Sequence, residues 1–177
     1  MRRARLLPVL LLAGLAACAT EANAPALPPI AATGQDPAIA AIYGAMPVFR
    51  DTRIVAGRPA EAAIAAIRLE WLAAAMPHDL AFTHSNHITI PAMQAARDNL
   101  RAALGIQPGA PGTVVMAGLA DAAAALARGD EEAARRALPP PVFAPDTLRR
   151  LGRLPDLPEA NLALLRASKD LDSGPGS

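Results

Sequence analysis

All three histidines of the chain, His78, His84 and His87, fall within one stretch of ten residues that also holds Asp79, Ser85 and Asn86. Imidazole is the commonest metal ligand and titrates near neutral pH, so this clustering raises a metal site or an acid–base site as a reading. The spacing leaves the geometry open. His84 and His87 share a face only in a helix, whereas in an extended segment their odd separation puts them on opposite sides. No HExxH or CxxC pattern accompanies them. The plainer reading makes Pro77 to Thr89 a polar interhelical loop whose histidines are solvated or cap the neighbouring helices.

Other chemistry-bearing residues stand alone. Arg97 lies at the edge of an apolar stripe beside Met93 and Leu100. Such a side chain usually packs its stem and sends its charge to water, although an anionic ligand is an alternative use. Glu70 has no second carboxylate in a recognisable motif, so it reads as surface and the adjacent Trp71 as core. There is no GxSxG elbow, phosphate-cradling loop or dinucleotide glycine fingerprint. The expected function is therefore non-enzymatic.

The elements that must position these residues read as helices. Hydrophobic residues make up 53% of the chain but aromatics only 3%, so alanine supplies much of the apolar surface and a thin helical core is expected. Asp36-Pro37 starts a short helix lined by Ile39, Ile42, Tyr43 and Met46, which Pro47 should interrupt. Val48 to Val55, with apolar pairs around Asp51-Thr52, is compatible with a short β-hairpin. Pro59 to Met76 carries Ile64, Ile67, Trp71 and Ala75 at helical steps and ends at Pro77.

The same period recurs over Ile90 to Leu104, with Ile90, Met93, Ala96, Leu100 and Leu104 opposite Gln94, Asp98 and Arg101. Gly105 should stop that helix. Pro111 to Arg128 presents Val115, Leu119, Ala122 and Leu126 and ends at Gly129, after which Asp130-Glu131-Glu132 opens a short helix. The triple proline 139–141 should be extended. In the last helix, Asp156 is expected to cap, Glu159 to reach back, and Leu162, Leu165 and Ala167 to form the apolar side. Together these predict an all-α, alanine-rich bundle over residues 37–170, with a frayed tail over 171–177.

The N-terminus carries an address. Met1 to Arg5 is basic, Leu6 to Ala17 is an apolar run shorter than the ~20 residues a membrane span needs, and Leu15-Ala16-Ala17-Cys18 follows. This run resembles the lipobox of bacterial lipoproteins. The resemblance implies a signal peptide over residues 1–17, a diacylglyceryl group on the Cys18 thiol, and Cys18 as the first residue of the mature protein. The context of Arg2-Arg3 fits a twin-arginine signal poorly, and general secretion is expected. Ala19 stands where an aspartate retains such proteins in the inner membrane, which implies an outer-membrane anchor facing the periplasm.

Residues 18–36, with Pro25, Pro28 and Pro29, read as an Ala/Pro-rich tether. Without Arg2, Arg3 and Arg5 the 17 basic residues fall to 14 against 16 acidic ones, a net charge of −2. With no basic block, a nucleic-acid partner is excluded. Expected partners are the membrane, through the lipid, and an envelope protein. No cofactor is expected beyond the lipid, unless the histidine segment serves a periplasmic metal- or small-ligand-binding protein.

Overall fold

A computed structural model describes residues 25–79, 82 and 87–173, which contain seven α-helices. These are α1 (Pro37–Arg50), α2 (Pro59–Ala75), α3 (Thr89–Leu104), α4 (Gly112–Ala127), α5 (Glu131–Arg136), α6 (Thr147–Leu151) and α7 (Pro158–Asp172). The expected signal peptide, Cys18 and His84 lie outside the described residues. No described helix is long and apolar enough to cross a membrane.

The bundle is built around α2, which packs against α4, α1 and α3 and is buried on nearly every side. A helix surrounded this way needs side chains that are mostly small or apolar. Ala62, Ala63, Ala65, Ala66, Ala73 and Ala75 meet that condition between Ile67, Leu69, Trp71 and Leu72. α7 packs on both α1 and α3, and α5 packs on α4. Leu100, Leu104, Leu119, Leu151 and Leu164 are fully enclosed and fill the larger gaps.

Several local signals act as the sequence implies. Asp36 accepts hydrogen bonds from the backbone N–H groups of Ala38 and Ile39, at 2.9 and 3.3 Å, and starts α1. Gly105 ends α3 in the left-handed region at φ 71°, where a Cβ is disfavoured.

Other expectations fail. α1 runs through Pro47 to Arg50, and the span read as a hairpin is instead the end of α1 and a 3-10 turn, Thr52–Val55. The exposed Pro47 can stay because it sits in the last turn, where the Asp51 N–H still reaches its carbonyl. Asp156 does not cap α7; its carboxylate accepts the Thr52 hydroxyl at 2.8 Å and ties the 3-10 turn to the start of that helix. The triple proline turns rather than runs extended, closed by the Phe143 N–H on the Pro139 carbonyl. Phe143 then forms an isolated antiparallel bridge to Ile106. α7 continues to Asp172, past the expected start of the tail.

The tether is also shorter than its composition implied. From Pro25 the chain lies on the domain: Ala31 is fully buried in a 3-10 turn, Pro29–Ala31, and Leu27 and Ile30 pack against the core. Proline lacks an N–H but keeps its carbonyl, so such a segment can dock wherever the fold offers donors.

Candidate interaction surface

Glu70, expected at the surface, is 1% exposed. Arg101, expected on the polar side of its helix, is 3% exposed. The two form a fork: Arg101 Nε and Nη2 donate to Glu70 Oε1 and Oε2, both at 2.7 Å. Arg101 Nη1 also donates to the carbonyls of Pro108 (2.7 Å) and Ala110 (2.9 Å). The hydrogen bonds to Glu70 hold the guanidinium above its ordinary pKa. The pair thus clamps the α3–α4 connection onto α2. Every nitrogen of the guanidinium is occupied and both carboxylate oxygens accept, so it is a structural lock.

The histidine segment is only partly described. His78 is exposed at the end of the 3-10 turn Met76–His78, and His87 is exposed in the turn that enters α3. Among the described residues no three His, Cys, Asp or Glu side chains gather as a metal-binding group. Arg97 pairs with its neighbour Asp98 at 2.8 Å, so its charge is engaged within its own helix. Trp71 is core, as expected, at 3% exposure.

The outward-facing surface of α1 and α7 differs from what the helical period implies. Ile39, Tyr43, Leu162 and Leu165 belong to the apolar sides that this period marks out, yet they are 39%, 45%, 48% and 39% exposed. α1 turns Ala38, Ala41, Ile42 and Ala45 inward, and α7 turns Ala160, Ala163, Leu164 and Ala167 inward. Alanine faces let helices approach closely. The inward faces take one large side chain each, Ile42 and Leu164, and the other bulky residues ride on the outside.

α1 and α7 run antiparallel: Tyr43 Oη donates to Asp172 Oδ1 at 3.1 Å near one end, while Phe49 and Arg50 lie with Pro158 and Asn161 at the other. The hydrogen bond to Asp172 raises the Tyr43 pKa above its usual value. Between the helices lies a hollow of about 250 Å³ lined by Tyr43, Met46, Pro47, Arg50, Asn161 and Leu165. A second, more polar hollow of about 590 Å³ continues past Arg50 and Asn161 toward Asp51, Arg53 and Asp156. Arg53 is held by Asp51 at 2.8 Å. Among the described residues no ion pair engages Arg50, which stands where the two hollows meet.

No family model, curated protein or solved structure matches this chain.

The groove therefore has to be judged on its own physics. Fully burying one large aliphatic side chain is worth about 1.5–3 kcal/mol, so four that stay nearly half exposed forgo several kcal/mol together. Ile54, Ile88 and Val114 are also exposed, but each stands on a different element, as scattered surface apolar residues ordinarily do. The α1–α7 residues differ in sharing one helix pair, and Tyr43 and Leu165 line the same hollow. The hollow beside Leu138 and Leu148 is apolar too, but its Arg135 and Arg136 are already paired with Glu131 and Glu132.

Proposed function

We propose that this protein is an envelope lipoprotein, anchored through Cys18 in the outer membrane and facing the periplasm, whose helical domain is a non-enzymatic interaction module. The observation that carries the interaction reading is the strip of Ile39, Tyr43, Leu162 and Leu165 turned outward along α1 and α7. The anchor rests on the lipobox-like run ending at Cys18. The partner that fits the groove is an envelope protein offering a segment with one apolar side and a carboxylate. Its apolar side covers the strip and its carboxylate meets Arg50. An apolar face laid into a hydrophobic groove is a standard mode of peptide recognition.

The test is site-specific photocrosslinking in intact cells, with a photoreactive residue at Leu165 and, as control, at the equally exposed Val114 of α4. A discrete adduct is expected from position 165 only, and Arg50→Glu should abolish it. The same adducts from both positions, or an adduct indifferent to Arg50→Glu, refute the reading. Use of the histidine segment as a metal or ligand site makes a separate claim. That claim requires a zinc-, copper- or nickel-specific rise in melting temperature that His84→Ala removes; on the interaction reading, the metals leave the melt unchanged.

A further inference from the structure

The residues that begin the described chain are clipped to the domain by two donors from α2. Trp71 Nε1 donates to the Pro25 carbonyl at 2.6 Å. Arg68 Nε donates to the Ala31 carbonyl at 3.0 Å, and its Nη1 to the Gly44 carbonyl of α1 at 2.9 Å. Both side chains are donors without acceptor capacity, which suits a proline-rich segment short of N–H groups. The Arg68 guanidinium lies over Gly44, where a Cβ would fall 2.5 Å from its Cζ, so the absence of a side chain at Gly44 is what lets the clip pass. Burial lowers the Arg68 pKa.

Resting on the lipoprotein reading above, we propose that this strap orients the domain on its membrane, holding the Trp71 side of α2 toward the bilayer. Seven peptide units separate Cys18 from Pro25, a span of at most about 25 Å. A folded unit of about 150 residues is roughly 40 Å across, from a radius of gyration near 15 Å. The leash is shorter than the domain, so the far side cannot be turned to the anchor. Were the whole of residues 18–36 free, the leash would reach about 65 Å and every face would be accessible to the bilayer. The clip by Trp71 and Arg68 removes the poses in which the far side meets the bilayer. The strap packs on α2 and α4, whereas the groove belongs to α1 and α7.

Trp71 is the sole tryptophan of the chain, so it serves as a native reporter beside the strap. The full acylated protein is reconstituted into phosphatidylcholine vesicles containing a dansyl-headgroup lipid, and energy transfer from Trp71 to dansyl is measured. Acylation is checked first by the mass of the N-terminal peptide and by flotation with the vesicles. Its absence sinks the lipoprotein reading itself and is seen before any transfer is recorded.

With acylation in place, strong transfer is expected. It should fall by about half or more when some twenty Gly/Ser residues are inserted before Pro25, which extends the reach by about 65 Å while leaving the clip intact. Arg68→Gln should lower transfer in the same direction and shift Trp71 emission to the red, with helicity by circular dichroism unchanged. Gly44→Ala, which displaces the Arg68 guanidinium by contact, provides a second route to the same loss. Equal transfer in the natural and lengthened proteins overturns the proposal.

Discussion

At the scale of single residues, the Glu70–Arg101 lock is the feature on which the fold depends most sharply. Removing one partner of a buried ion pair leaves the other charge uncompensated, which costs about 3–5 kcal/mol. Glu70→Ala should therefore lower stability by that amount in chemical denaturation. The double variant Glu70→Leu with Arg101→Leu should recover only part of the loss. Both charges are gone in it, but the carbonyls of Pro108 and Ala110 lose their donor. Full recovery in the double variant would show that the carbonyl contacts add nothing.

Gly118 gives a second sharp outcome. Replacing a helix glycine by alanine ordinarily stabilises by up to ~1 kcal/mol. Here the new Cβ would lie 2.8 Å from the Phe143 ring and 3.0 Å from the Ala137 carbonyl. Overpacking of this kind costs about 1–3 kcal/mol, so Gly118→Ala should lower the unfolding midpoint, and a raised midpoint would mean the ring moves freely. The sequence offered no sign of either contact. Glutamate beside tryptophan, or glycine in a helix, is neutral information until a partner from another helix is placed opposite.

At the scale of elements, the outward faces of α1 and α7 can be changed with little effect on stability, which isolates the proposed interaction. Leu162 and Leu165 are already half in water, and surface substitutions away from special features usually change stability by less than about 0.5 kcal/mol. Leu162→Glu should leave the thermal melt nearly unchanged while abolishing the crosslink from position 165. A large loss of stability would instead place Leu162 in the core, where the helical period put it. That period did locate the helices, and the cap at Asp36 and the stop at Gly105 were legible because each acts on its own backbone. It could not set the rotation of an alanine-rich helix. With alanines on one side and leucines on another, the apolar count is similar in both directions, and close approach between neighbours decides which side turns inward.

At the scale of the whole molecule, the strap packs residues 25–31 against the central helix, which predicts that they unfold with it. Unfolding followed by Trp71 fluorescence should coincide with unfolding followed by helicity, since Trp71 sits between the strap and the central helix. Fluorescence that changes at a lower denaturant concentration than helicity would show that the strap detaches on its own.

The sequence by itself determined the predominance of helix and the approximate helix ends, because periodicity and capping are read along the chain. Only the tertiary structure decided that Glu70 and Arg101 meet, that residues 25–36 dock, and that Ile39, Tyr43, Leu162 and Leu165 face outward. Each of these depends on which helix lies alongside which. A hydrogen bond across 31 or 46 residues, or a face selected by close packing of alanines, leaves no local trace in the residues that make it.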